Sequence, residues 1–413
     1  MTRVENQTIG MKFLLSFIYE NTKELKESSA ALFLSIFTSA VAGAFLSNSK
    51  EMLLIIPGLI ILVPGATNMR GAIFGAVGAR LGSAFHLGQI KSFGLKNDVV
   101  KTNVLSSAYL SIIFPVILAS LASLFSTVLG LEGATISTFI TIAFMGSIFA
   151  GSILLLVTFF IAFTAYGRGW DPDNVTSPLI ASIGDIITLP SLLAAAWLTL
   201  RFSNFSDYFS LGVIGLLIIL IITIILGKDS KTRVIVVQSS AVLLVTTLLN
   251  TISGLLLQDT LGTLIAIPSV LVLLPAFLSQ GGNIGSIFAS RFTTKLHLGI
   301  IHEEYRGGFE TLKEMFGAYT FALLIFPVVG AISIGISGFI GIPNILGTKL
   351  ILISLIGGLI VTTVVVLSSF FISIFFMRRS IDPDNVIVPI ITSMADIFGV
   401  ISLVIVLTLF GAV

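Results

Sequence analysis

The chain of 413 residues is 55% hydrophobic, with only 10% charged residues and a mean hydropathy of +1.10, whereas soluble domains carry about 25% charged residues. A soluble fold of this length is excluded, because its water-facing surface needs polar groups that are missing here and that a bilayer does not require. A formal charge of +2 without a basic arm argues against nucleic-acid binding, and the absence of Cys excludes disulfides, thiolate metal sites and a thiol nucleophile.

In chain order, residues 1–27 read as a cytoplasmic arm. Met11 to Tyr19 is apolar but short and runs into the mixed charges from Glu20 to Glu27. This pattern predicts a surface amphipathic helix, not a cleaved signal peptide. Apolar stretches long enough to span hydrocarbon follow at 29–47, at 51–66 continuing as a glycine-broken helix to about 85, and at 103–129, 133–166, 176–200 and 208–227. They resume at 239–257, at 262–275 continuing to about 292, and at 316–340, 348–377 and 387–411. The expected fold is therefore all-α and polytopic, with eleven transmembrane helices.

With the N-terminus in the cytoplasm, only Lys50, Arg201 and Lys349 of the 22 basic residues fall outside, and Arg70 falls within the membrane. The other 18 lie inside, as the positive-inside rule requires. The C-terminus is then extracytoplasmic, and the expected location is a cell membrane crossed many times.

The chain contains itself twice. VPGATNMRGAIFGAVGARLGSAFHLG from Val63 corresponds to LPAFLSQGGNIGSIFASRFTTKLHLG from Leu274, 211 positions later. DPDNVTSPLIASIGD from Asp171 corresponds at the same offset to DPDNVIVPIITSMAD from Asp382. Two separate blocks at one offset indicate duplication. The first repeat covers 28–201 and the second 239–413, with 202–238 holding a connector helix and its loops. Five spans would invert the second copy, and the connector restores parity. The expectation is two parallel five-helix repeats related by a pseudo-two-fold axis along the membrane normal, with a transport path along it.

Asp185 and Asp396 lie about nine residues into their spans, roughly 13 Å at ~1.5 Å per residue. A carboxylate there costs at least about 2.5 kcal/mol unless it has a partner or water. Two such groups facing each other supply −2, matching a divalent ion. Mg²⁺ dehydrates reluctantly and is often held through one or two carboxylates; Mn²⁺ and Co²⁺ use similar oxygens.

In the second copy Gly281, Gly282 and Asn283 sit mid-span, where glycines permit close approach or an unwound turn and Asn283 offers an amide oxygen. The first copy has Arg70, Gly71 and Ala72 instead. Arg70 either pairs with Asp185 or Asp396, acts as an internal tethered cation, or closes one half of the site. Asp171, Asp173, Asp382 and Asp384 suit turns and helix caps, and at a pore mouth they would concentrate cations. His86 and His297 lack further ligands at metal spacing and read as interfacial.

The stretch PAFLSQGGNIGSIFASRFTTKLH, with the two DPDN segments, resembles the MgtE magnesium transporter superfamily. Its ASR-F-TT-K-LH portion resembles the solute carrier family 41 branch, in which two MgtE-type membrane domains are fused. The resemblance implies transport of Mg²⁺ as the substrate ion, with no cofactor, and assigns ion binding to Asp185 and Asp396. It carries the Gly-Gly-Asn motif onto Gly281, Gly282 and Asn283, but only poorly onto Arg70, Gly71 and Ala72. Its bacterial members' soluble regulatory domains have no counterpart here. A Na⁺-coupled Mg²⁺ exchanger, or a transporter of Mn²⁺ or Co²⁺, is the alternative. An intramembrane enzyme finds no HExxH or serine–histidine constellation, and a scaffold would not need mid-membrane acids. The expected partners are the divalent cation and membrane lipid, with a single chain sufficient for a complete path.

Overall fold

The computed structural model describes residues 32–90, 97–167, 172–202, 205–227, 229–301, 308–378 and 384–411, all helical or irregular. The helices are α1 (Leu32–Asn48), α2 (Lys50–Ile55), α3 (Leu62–His86), α4 (Asp98–Val128), α5 (Ile136–Gly167), α6 (Pro172–Arg201) and α7 (Phe205–Leu226). They continue with α8 (Ser230–Asp259), α9 (Leu261–Ala266), α10 (Pro268–His297), α11 (Phe309–Ile340), α12 (Lys349–Arg378) and α13 (Asp384–Leu409). Among the described residues 10 helices are long and apolar enough to cross a membrane, with α1 a shorter apolar helix. The expected first span begins at 29, outside the described residues, as does the expected arm at 1–27.

The glycines within the α3 and α10 motifs do not break those helices. Both α3 and α10 run unbroken through their glycine-containing motifs. The interruptions come earlier. Pro57 lacks an N–H and Gly58 adopts φ 82, so α2 ends and a 3-10 turn, Leu59–Ile61, leads into α3. Pro268, at the first turn of α10, separates it from α9 in the same way. The mid-helix glycines serve packing instead. A Cβ on Gly281 would come within 2.8 Å of Val361 Cγ1, and one on Gly285 would meet Ile391 and Val365.

Helix contacts recur at the 211-residue offset. In the first half α3 packs on α6, α5 and α4, and in the second α10 packs on α13, α12 and α11. Between the halves, a Cβ on Gly43 in α1 would overlap the carbonyl oxygen of Val272, and one on Gly254 in α8 would overlap that of Ile61. Each residue of that contact has its counterpart in the other. The first helix of each half thus lies against the start of α10 or α3 in the other half, and α8 packs along α3 and α4.

The C-terminal ends of α3 and α10 are built alike and charged differently. Gly88 and Gly299 close α3 and α10 at φ 66 and 68. Arg80 Nε donates to Asn103 Oδ1 at 2.7 Å. At the equivalent place Arg291 Nε lies 3.0 Å from Glu314 Oε2, and Lys295 Nζ lies 2.6 Å from Glu310 Oε2.

The helix α7 packs on α5 and α4. Its buried stripe of Ser206, Ser210 and Val213 follows i, i+4, i+7 spacing, while Leu211, Ile218, Ile219 and Ile222 are exposed, as lipid contact requires. At the start of α8, Asp229 accepts from Thr232 Oγ1 at 2.6 Å and Thr232 N at 3.2 Å. These bonds hold its carboxyl below the usual range.

Alanine normally stabilises a helix relative to glycine. At Gly43 and Gly254 the sign reverses, because the added methyl meets backbone that cannot yield. We expect Gly43→Ala and Gly254→Ala each to cost about 1–3 kcal/mol and to lower the thermal unfolding midpoint in detergent. Gly215→Ala, with no atom within 4 Å of its Cβ, should leave that midpoint unchanged or raise it.

Candidate functional site

A central cavity of about 520 Å³ lies between α1, α3 and α6 on one side and α8, α10 and α13 on the other. Its walls are largely matched pairs at the 211 offset, including Pro64 with Pro275, Asn68 with Ser279, Gly71 with Gly282, Ala72 with Asn283 and Asp185 with Asp396. The volume far exceeds the ~10–15 Å³ that admits one water. Helix geometry supplies the lining: positions 64, 67, 68, 71, 72 and 75 of α3 recur every three or four residues on one face.

Both membrane carboxylates line this cavity. Asp185 is half-buried and accepts from Ser39 Oγ at 2.6 Å. Asp396 is 6% exposed and accepts from Asn68 Nδ2, which also donates to Asn250 Oδ1 at 3.0 Å. Asn68 belongs to the first half of the chain and Asp396 to the second, so this bond crosses the interface. Asn68 thereby commits both amide hydrogens and leaves its carbonyl oxygen as an acceptor. Ser39 and Asn250 are themselves equivalent at the 211 offset, so each first helix contributes a polar side chain next to a carboxylate system.

Gly282 and Asn283 also line the cavity. Asn283 Nδ2 donates to Ser35 Oγ at 3.3 Å, as Gln280 Nε2 does at 3.2 Å. Ser35 thus ties α1 to α10 beside the cavity, and the Asn283 oxygen stays available to accept. Among the described residues no Lys or Arg lines the cavity, so its two carboxylates meet no described basic side chain there. Among the described residues no three His, Asp or Glu side chains cluster as a metal cage. The arrangement suits a cation that keeps water and meets carboxylate and amide oxygens across it.

Arg70 makes neither of the pairs open to it. It is 2% exposed, is absent from the cavity wall, and donates from Nη1 to Ser111 Oγ at 3.2 Å. The reason is angular: two residues beyond Asn68 is about 200° around a helix, so Arg70 faces the other way. Asp171 and Asp382 lie outside the described residues, while Asp173 and Asp384 fall in the first turns of α6 and α13. His86 and His297 end α3 and α10.

Sequence reasoning missed Asn68, Ser39, Asn250 and Ser35. The available signal was the same offset that pairs the Asp residues, since it also pairs Ser39 with Asn250 and Ser35 with Thr246 in the first helices.

The chain is 26% identical to human solute carrier family 41 member 2 over 425 residues, covering 92% of this chain and 71% of that protein. It is 26% identical to the Xenopus laevis member 2 over 418 residues, covering 91% and 72%. Against solute carrier family 41 member 3 of Rattus norvegicus it is 23% identical over 372 residues, covering 83% and 77%. No solved structure matches it. The MgtE family model, described as a divalent cation transporter, matches twice, at residues 63–195 and 274–406, which together make up more than half of the chain. The chain belongs to the MgtE family of divalent cation transporters and is a transporter, not an enzyme.

Proposed function

We propose that the chain moves Mg²⁺ across the membrane along a path between two fused MgtE-type five-helix repeats. The observation that carries this reading is the pair of equivalent carboxylates, Asp185 and Asp396, lining one cavity of about 520 Å³ with no basic side chain among the described residues. Their formal charge of −2 matches a divalent ion. The volume suits an ion with its water shell, and Mg²⁺ parts reluctantly from its waters. Gly282 keeps the cavity wall thin, and the Asn283 and Asn68 carbonyl oxygens serve as acceptors for the ion's waters.

The two family matches fit two repeats in one polypeptide, and α7 is the connector that gives them parallel orientation about a pseudo-two-fold axis. With α1 counted as the first span, that makes eleven membrane helices. The N-terminus is then cytoplasmic and the C-terminus extracytoplasmic, in keeping with the distribution of Lys and Arg. Both halves contribute lining, so one chain suffices for a path. From their place in the sequence we assign Asp171, Asp173, Asp382 and Asp384 to its cytoplasmic mouth, where such acids would raise the local cation concentration.

Flux of Mg²⁺ in proteoliposomes tests this assignment. Asp185→Asn and Asp396→Asn should each weaken apparent affinity by roughly tenfold or more, since a hydrogen bond to a charged group is worth about 1.5–3 kcal/mol. The double variant should lose flux while remaining monodisperse in detergent. Wild-type flux in the double variant would remove the site. Equal rates for Mn²⁺ or Co²⁺ would broaden the substrate to divalent cations, and flux that stops without a Na⁺ gradient would make the protein an exchanger.

Asn68→Leu removes the amide held against Asp396 and leaves the carboxylate without that donor. Apparent Mg²⁺ affinity should fall several-fold, whereas Thr67→Val, on the same helix, should change it little because Thr67 Oγ1 bonds only to Val63 O and Pro64 O of its own helix.

A further inference from the structure

Arg70 is a buried cation on the far side of α3 from the central cavity. It faces α4, α5 and α6, with Ser111 Oγ at 3.2 Å from Nη1. A Cβ at Gly151 on α5 would stand 3.3 Å from that same nitrogen, so glycine there makes room for the guanidinium. Arg70 Nε has no hydrogen-bond partner, and among the described residues no carboxylate is within ion-pair reach. A guanidinium does not deprotonate in a protein, and a lone charge inside the bilayer is costly.

Next to it is a separate void of about 10 Å³, lined by Arg70, Thr188, Ser147 and apolar side chains of α3, α4, α5 and α6. Thr188 Oγ1 is buried and also has no partner. The volume is close to that of a single small particle. Arg70 Nε can only donate, and the Thr188 hydroxyl is free to donate, so the complementary occupant accepts hydrogen bonds. The uncompensated guanidinium adds a preference for negative charge.

The second half of the chain supplies an internal comparison. Arg70, Ser111, Ser147 and Thr188 correspond at the 211 offset to Gly281, Ala322, Gly358 and Gly399. All four polar groups are absent together. The Phe326 ring packs so closely on Gly358 that a Cβ there would overlap it, and a Cβ on Gly399 would meet Leu278. One half therefore holds a polar pocket around a cation where the other holds apolar packing. Four coordinated differences favour a shared purpose over independent drift.

We propose that the void between Arg70 and Thr188 binds one small monovalent anion of the halide class, chloride under ordinary conditions, as the fixed counter-ion of Arg70. The bound anion neutralises the guanidinium locally, ties α3 to α6 at the turn following Asp185, and limits the reach of the positive charge into the cation cavity. The site is independent of which cation is carried.

The test is a comparison of the full chain in bromide, chloride and gluconate at constant ionic strength. Crystals grown in bromide should show an anomalous peak in the void beside Arg70 and Thr188. The thermal unfolding midpoint in detergent should rise as chloride or bromide replaces gluconate, because a ligand that binds only the folded state stabilises it. Thr188→Val, nearly equal in volume, should weaken that halide dependence by roughly tenfold, which corresponds to ~1.4 kcal/mol. Arg70→Met should abolish it, and Thr188→Val keeps the test usable if Arg70→Met does not fold. The proposal is overturned by water-sized density with no anomalous signal, by equal midpoints in halide and gluconate, or by a halide response unchanged in Thr188→Val.

Discussion

A carboxylate within the bilayer is tolerated only where water, a donor or a cation replaces the solvent it has lost. This chain places two of them at equivalent positions, and the surrounding architecture meets that requirement. Six helices leave a cavity large enough for water. Ser39 donates to one carboxylate and Asn68 to the other. The remaining acceptor capacity is what the proposed cation would use. The close helix approaches at Gly43 and Gly254 hold the two halves together around that space, so packing at the ends of the first helices and chemistry at the centre are parts of one design.

Matching helix contacts at the 211 offset suggest internal symmetry, and the side chains depart from it. Asp185 has a serine from its own half, whereas Asp396 is held by an amide from the opposite half that also engages Asn250. Near the C-terminal ends of α3 and α10, Arg80 is met by a neutral Asn103 and Arg291 by Glu314. A homodimer of identical domains could not make these distinctions. Within a single chain each half can differ separately, and the contrast between Arg70 and Gly281 is the largest such difference.

Much of the helical layout was legible because it depends on long-range regularities: uninterrupted apolar stretches and two motif blocks at one offset. The positions of Asp185 and Asp396 in a shared cavity followed from the same offset, since equivalent positions in packed repeats face a common space. What was not legible depended on angle and on local backbone chemistry. Arg70 and Asn68 are two residues apart, yet one faces α4 and α5 and the other the cavity. The helix breaks were expected at glycines, but they occur at Pro57–Gly58 and Pro268, where a missing N–H interrupts the ladder. Ser39 and Asn250 were passed over because a single polar residue in an apolar helix usually bonds to its own backbone, as Thr251 does to Thr247 O at 2.7 Å.

The central claim concerns where the cation sits, and Mn²⁺ provides a direct view because it shares oxygen ligands with Mg²⁺ and scatters anomalously. Crystals soaked in Mn²⁺ should show an anomalous peak in the central cavity between α6 and α13, within water-bridged reach of both Asp185 and Asp396. The same soak of the Asp185→Asn, Asp396→Asn double variant should leave that position without a peak. A wild-type cavity without metal, with Mn²⁺ bound only elsewhere, would contradict the account.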